Sequence, residues 1–275
     1  MDGNRADEAR LRNAASRQSG TQQDAELIIG RNPVREALAA GRPVERVLVA
    51  KGAGGRPIAD IFSLAKSRGV AVQEADRRRL DRMSGGRMHQ GVIAVAAPKD
   101  YVDLDAILPA AAGRGEDPLV LVLDEVQDPH NLGSLLRSAD GAGAHGVVVP
   151  RRRSAGLTMT VARTSAGAVE YVPVAQVANV AQALRELKER GLWIAGADMN
   201  GDAMYWEADL RGPLALVVGG EGKGLGRLTR ELCDVIVSIP MRGRVNSLNA
   251  GVAGALVLFE IARQRRFSDR TGRNG

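Results

Sequence analysis

Apolar residues along the chain come in short runs, separated by stretches in which they recur every three or four positions. That is the pattern of strands alternating with helices. The first run is Leu27-Ile28-Ile29-Gly30; Asn32-Pro33 then suits a helix start, Val34, Ala37 and Leu38 share one face, and Gly41 is a stop. Residues 44–49 read as a strand, and Ile58, Ile61, Phe62 and Ala65 keep helical spacing. Val70-Ala71-Val72 follows Gly69 as a short strand, and residues 92–96 close the group. Residues 25–98 are thus expected to form a small α/β unit.

Pro98 to Pro118 is the weakest-patterned stretch, with Ala110-Ala111-Ala112-Gly113 and Gly115 in it, and a linker is expected over 99–117. Residues 119–123 are a continuous apolar run of the kind buried in a parallel sheet. Further strands are expected at 147–149, 171–174, 192–195, 214–218 and 235–239, and helices at 131–142, 158–167, 179–190 and 247–265. The second half, 118–266, reads as a doubly wound α/β domain with a mainly parallel sheet. Residues 1–24 and 267–275 read as tails, the first of them disordered.

Ile239-Pro240-Met241-Arg242-Gly243-Arg244-Val245-Asn246-Ser247-Leu248-Asn249 ends an apolar strand and opens the last long helix. Asn246 or Ser247 can cap that helix, which Leu248, Val252, Ala255, Leu256, Leu258 and Phe259 mark as buried with little exposed face. A helix start also leaves free N–H groups that can meet an electron-rich ligand. Two glycine patterns fail on context. Gly141-Ala142-Gly143-Ala144-His145-Gly146 matches a dinucleotide fingerprint, but it leaves a helix and enters a strand, the reverse of what that site needs. Gly222-Lys223 resembles the end of a phosphate loop, but Val217 stands where the first Gly belongs and Gly224 replaces Ser or Thr. A nucleotide-cofactor oxidoreductase and an NTPase are therefore not expected.

Composition narrows the partners. Thirty-eight Lys and Arg against 32 Asp and Glu leave a net charge of +6, gathered in Arg77-Arg78-Arg79, Arg151-Arg152-Arg153 and residues 263–266, so nucleic acid or merely solvated faces are expected there. Aromatics at 3% argue against a single-strand binder built on stacking. The single Cys233 suits a reducing cytoplasm, and with only three His no metal site is expected. The first 24 residues lack an apolar core of the kind a signal peptide needs, and no run approaches the roughly 20 apolar residues of a membrane span, so a soluble cytoplasmic protein is expected.

Three stretches carry candidate chemistry. Residues 124–133, Asp124-Glu125-Val126-Gln127-Asp128-Pro129-His130-Asn131-Leu132-Gly133, leave a buried strand at its C-terminal end and enter a helix carrying Arg137. Ligands of open α/β sheets bind there. Gly219-Gly220-Glu221-Gly222-Lys223-Gly224 leaves another strand as a turn whose bare backbone can approach a ligand. The third stretch is 239–249. Singly, Arg137 reads equally as a surface ion pair, Glu221 as a solvated carboxylate and Asn131 as a helix cap.

In combination and order, the three resemble the motifs of the SpoU/TrmH family of SPOUT RNA methyltransferases. Residues 29–38 and His89-Gln90-Gly91-Val92 resemble the amino-terminal domain of the subfamily that methylates a 23S ribosomal RNA guanosine at its ribose 2′-oxygen. The resemblance implies a carboxy-terminal α/β trefoil-knot domain preceded by a small α/β RNA substrate-binding domain, S-adenosyl-L-methionine as cofactor, RNA (23S rRNA or a ribosomal precursor) as partner, and a homodimer. It gives Arg137 the catalytic role, Asn131, Glu221, Ser247 and Asn249 those of active-site polar residues, and Gly219, Ile239, Met241 and Leu248 the walls of the cofactor pocket. Where the family continues Val-Ser after Asn249, this chain has Ala250-Gly251. With Gly254 and Ala255 these suggest a small-residue face that would let another helix approach closely, as at a dimer seam. The alternatives are the same chemistry on tRNA or another rRNA nucleotide, and a non-catalytic RNA-binding or assembly protein.

Overall fold

The computed structural model describes residues 25–222 and 224–271, with side chains to Arg265. The expected tail 1–24 lies outside the described residues. The chain divides into two compact units at Lys99/Asp100.

The first unit is a four-stranded sheet of order β1-β4-β2-β3, from β1 (Glu26–Ile29), β2 (Val44–Ala50), β3 (Ala71–Ala75) and β4 (Val92–Ala96). β4 runs antiparallel to β1 and β2, and β3 runs parallel to β2. Helices α1 (Arg31–Ala39) and α2 (Arg56–Ser67) bury Val34, Ala37, Leu38, Ile58, Ile61 and Ala65 against Val47, Val49, Val92 and Ala94. Each large apolar side chain so buried contributes about 1.5–3 kcal/mol. The buried Arg42 guanidinium bonds to Glu26 at 2.6 Å and to the Ala97 carbonyl at 2.7 Å, tying the sheet's first strand to its last. One element was not expected: α3 (Arg77–Ser84) forms where the sequence shows an arginine run. Only Leu80 and Ser84 are buried on it, one turn apart, and that stripe is too narrow for a periodicity signal.

The second unit holds a seven-stranded sheet of order β7-β6-β5-β10-β8-β11-β9 in which every pairing is parallel. Its strands are β5 (Leu119–Asp124), β6 (Gly146–Pro150), β7 (Val174–Val177), β8 (Trp193–Ala197), β9 (Ala203–Met204), β10 (Leu214–Gly219) and β11 (Val235–Ser238). β5 and β10 are the centre, buried along their apolar lengths and covered on both faces, which is why they read as unbroken apolar runs.

The stretch expected as a linker is instead part of this unit. Val102 bonds to the edge strand β7 through Val174, a 3-10 turn covers Leu104–Ala106, and α4 spans Leu108–Arg114. Ile107 is fully buried, against the start of β6 where a methyl on Gly146 would lie 2.6 Å from it. Alanine and glycine hide an amphipathic pattern because neither marks a face.

The helices of this unit after α4 are α5 (Pro129–Ala142), α6 (Met159–Thr164), α7 (Val180–Glu189), α8 (Arg227–Leu232) and α9 (Ala250–Thr271), and α5 and α9 lie together on one side of the sheet. Both the expected start of the last helix at 247 and its expected end at 265 are corrected: it begins at Ala250 and continues to Thr271, into the residues expected as a tail. The small residues let another helix approach closely, as expected, and that helix is α5 of the same chain. A methyl on Gly254 would lie 2.4 Å from Leu135 of α5 and 3.2 Å from Val218 of β10, and one on Gly251 3.3 Å from Ser134. α9 also has an exposed apolar stripe, contrary to expectation: Val252, Leu256 and Phe259 all face outward.

In the basic run near the chain's end, Arg265 is structural. Arg265 donates to the carbonyls of Asp117, Pro118 and Gly212, just before β5 and β10, while Arg263 pairs with Glu260 and Gln264 binds Ala208 and Leu210. Cys233 packs beside Gly196, and burial pushes its thiol up to about 12, so it stays protonated.

His145, from the rejected glycine pattern, is buried just before β6. Its Nδ1 accepts the Leu119 amide at 3.0 Å, which leaves the ring proton on Nε2, 3.0 Å from Glu116. Burial lowers its pKa below the ordinary value, against the opposing pull of Glu116. As pH falls through about 6.5, the unfolded chain takes up a proton that the folded chain refuses; stability that is full above that value is therefore lost on acidification. We expect the urea midpoint to drop further between about pH 7.5 and about pH 5.5 in the wild type than in His145→Gln, which accepts a hydrogen bond but does not titrate. Equal drops would place the acid sensitivity elsewhere.

Candidate active site

The three stretches meet at the C-terminal ends of the parallel strands. Register pairs Gly219 with Asp124, so the β5–α5 connection and the glycine turn start side by side. The turn needs its glycines. A methyl on Gly219 would sit 2.2 Å from the Gly224 carbonyl oxygen, and one on Gly220 would sit 2.5 Å from that of Glu125. Gly222 and Gly224 hold φ of 79° and 63°, where other residues are strained. Asp128 caps α5, accepting the His130 amide at 2.9 Å. Asn131 is therefore inside the helix, free of capping and buried.

Asn131, Glu221 and Asn249, far apart in sequence, form a closed polar hub. Asn131 Nδ2 donates to Glu221 Oε1 at 2.8 Å, and Asn249 Nδ2 donates to Asn131 Oδ1 at 2.8 Å and to Glu221 Oε1 at 2.7 Å. Asn249 Oδ1 faces the other way and accepts the Gly251 and Val252 amides at 3.0 and 3.3 Å. Asn249, rather than Asn246 or Ser247, is thus the cap of α9. The cap and the hub share one side chain.

Beside the hub lies a cavity of 710 Å³, within the range of small-molecule sites. Gly219, Glu221, Ile239, Met241, Ser247, Leu248 and Asn249, all singled out from the sequence, line it. Arg137 does not. It is exposed on α5, on the surface between Ser134, which faces Gly251, and Gly141, which faces Phe259.

Sequence reading missed Asp198, Met199 and Asn200, which also line the cavity. They follow β8, and the available signal was position alone: the C-terminal end of a parallel strand. The Asp198 side chain is 9% exposed and pairs with Arg230 at 3.0 Å. Burial raises its carboxyl, but the Asn200 and Leu225 amides and Arg230 outweigh this and hold it below the ordinary range. Arg242 and Arg244 were also passed over; both are exposed on the loop whose Met241 and Asn246 reach the cavity.

Fold and site together define a two-unit α/β protein with a small-molecule pocket at the C-terminal edge of a parallel sheet. Residues 118–259 match the model of the SpoU rRNA Methylase family, and residues 27–102 match that of RNA 2′-O ribose methyltransferase substrate binding. A Bacillus subtilis (strain 168) protein, YacO, named to the TrmH family of tRNA/rRNA methyltransferases, is 45% identical over 243 residues, covering 88% of this chain and 97% of its own. Among solved structures, the SpoU methyltransferase AviRb of Streptomyces viridochromogenes in complex with AdoMet aligns with TM-score 0.75 and 30% identity over 90% of this chain and 93% of that one. An RNA 2′-O ribose methyltransferase aligns with TM-score 0.73 and 32% identity over 88% and 89%. The chain belongs to the SpoU rRNA methylase family, and the α/β architecture that its motifs implied is that of these structures.

The double duty of Asn249 can be separated. Asn249→Ala, which removes both cap and donor, is expected to lower the unfolding free energy in urea by about 2 kcal/mol, and Asn249→Ser, which restores a capping oxygen, to regain about half. Equal losses in the two variants would show that the cap contributes nothing.

Proposed function

We propose that the chain is an S-adenosylmethionine-dependent RNA ribose 2′-O-methyltransferase acting as a cytoplasmic homodimer, with a guanosine of 23S ribosomal RNA as its target. The observation that carries this reading is that the glycine turn and the stretch 239–249 line one cavity, while Asn131 of the first stretch is hydrogen-bonded to Glu221 and Asn249 at its edge. Family membership and the AdoMet complex of a 30% identical structure support the cofactor. The substrate-binding match of residues 27–102 supports RNA. Arg77, Arg78, Arg79 and Arg82, all exposed on α3, supply charge for its phosphates. The ribosomal target rests on the resemblance of residues 29–38 and 89–92 to one subfamily. In the structure those two segments touch: the Arg31 amide donates to Gln90 Oε1 at 3.1 Å and Arg31 Nε to the Gln90 carbonyl at 3.0 Å.

The cavity suits the cofactor chemically. Ile239, Met241 and Leu248 offer apolar walls, and Ser247 and Asn249 offer polar contacts. S-adenosylmethionine, when bound, supplies an electrophilic methyl group to a ribose oxygen. The chain's task is alignment, for which a rigid polar hub is suited. Glu221 accepts both amides through one oxygen. Arg137 cannot serve as an ordinary base, but its fork can grip the target phosphate and stabilise the developing alkoxide, with Asn131 and Ser247 orienting the reacting groups.

Arg137 completes such a site from a second copy. The exposed stripe Leu248, Val252, Leu256 and Phe259 starts at the cavity and runs along α9 to the Arg137 side of α5. A two-fold pairing along this stripe buries the apolar residues and lets each copy's arginine serve the other's cavity.

Two measurements test this. Methyl transfer from labelled S-adenosylmethionine to unmodified 23S rRNA, 16S rRNA and tRNA, followed by digestion to nucleosides, is expected to give 2′-O-methylguanosine from 23S alone. Label in tRNA keeps the chemistry and overturns the target. No label, together with no cofactor binding, favours a non-catalytic RNA-binding protein. Arg137→Ala and Glu221→Gln are each expected to lose roughly a hundredfold in turnover. Remixing the two dissociated variants should restore up to about one quarter of wild-type activity, since half the re-formed dimers carry one intact site. Absence of any restoration would place Arg137 outside the partner's site.

A further inference from the structure

Asp198 belongs to none of the three motif stretches, yet it is the most heavily bonded carboxylate beside the cavity. Its Oδ1 accepts the Asn200 amide at 3.0 Å and pairs with Arg230 at 3.0 Å; its Oδ2 faces the Leu225 amide at 3.4 Å. Arg230 reaches past it to the Asn200 carbonyl at 2.6 Å. The carboxylate thus bonds three parts of the unit together: the loop after β8, the helix α8 (Arg227–Leu232) and the far end of the glycine turn.

Contact with the turn is steric as well as polar. A methyl on Gly224 would lie 2.6 Å from Asp198 Oδ2, while on its other side the Gly224 carbonyl oxygen occupies the place a methyl on Gly219 would take, at 2.2 Å. Gly224 is clamped between Asp198 and Gly219. Its amide also closes the turn on the Gly220 carbonyl at 3.2 Å. Since the same turn carries Glu221 into the hub, displacement of its far end would reach the cavity wall at Gly219 and Gly220.

We propose that Asp198 is a positioning residue for cofactor binding, holding the glycine turn in its binding shape through Leu225 and Gly224 with Arg230 as its counter-ion. The inference rests on reading the cavity as the cofactor site. Asp198 contributes through the turn; the polar hub handles the substrate side. Losing it should therefore weaken cofactor binding far more than turnover of the filled enzyme.

The test is steady-state methyl transfer with the cofactor varied, alongside calorimetric binding of S-adenosylhomocysteine and thermal melting of the full chain. Asp198→Ala is expected to raise the cofactor KM and the S-adenosylhomocysteine Kd about tenfold or more, with kcat at saturating cofactor within about threefold of wild type. Asp198→Asn, which keeps an oxygen acceptor but loses the ion pair, should recover part of the affinity. Arg230→Gln should move KM in the same direction and carries the test should Asp198→Ala fail to fold. Unchanged KM and Kd in the variants, or a loss confined to kcat, overturns the inference while leaving the cavity assignment intact. Wild-type protein that does not bind S-adenosylhomocysteine overturns both.

Discussion

The parallel pairing of β5 with β10 is the constraint on which the site depends. The strands are about a hundred residues apart in sequence, and their register runs from Leu214 opposite Leu119 to Gly219 opposite Asp124. A slip of one residue would turn each buried side chain to the other face of the sheet. It would also separate the two turns that leave the strands together. Asp124 accepts the Gly226 amide at 3.1 Å and Gly220 lies against the Glu125 carbonyl, so each turn is built on the other. The sheet's core packing and the geometry of the site are consequences of one alignment.

On that base the third stretch is held by small residues. Gly254 brings α9 against α5 and β10 closer than a side chain would allow, and Gly251 sits tightly against Ser134 of α5. This proximity puts Asn249 within reach of Asn131. The apolar side chains left over, Val252, Leu256 and Phe259, face outward on the opposite side of the same helix. Close packing inside and an uncovered stripe outside are two faces of one twenty-two-residue element.

Charge is divided between arginines spent on internal contacts and arginines left exposed. Arg265 is spent on three carbonyls that fix the starts of the central strands, and Arg42 on the closure of the first sheet. The arginines of α3, by contrast, remain exposed. Its single acid, Asp81, meets His89 at 2.9 Å, so one of the amino-terminal motif residues braces the basic helix. The net positive charge thus overstates what is available to a polyanion, and only burial distinguishes the two uses.

Much of the site was open to sequence reading because its parts are local. Turn glycines, a helix-entering Asn and a polar stretch after an apolar strand are each dictated by backbone geometry within about ten residues. Strand positions were likewise readable where burial on both faces leaves continuous apolar runs, as at β5 and β10. Elements built of arginine or alanine, α3 and α4, were not, because neither residue reports which side of a helix is buried. Tertiary structure alone decided that Asn249 is both cap and hub, that Asp198 clamps the glycine turn, that Arg265 is structural and that Arg137 stands apart from its own chain's cavity. Each of these depends on which distant segments touch, and a contact between residues a hundred positions apart leaves no periodicity in the chain that makes it.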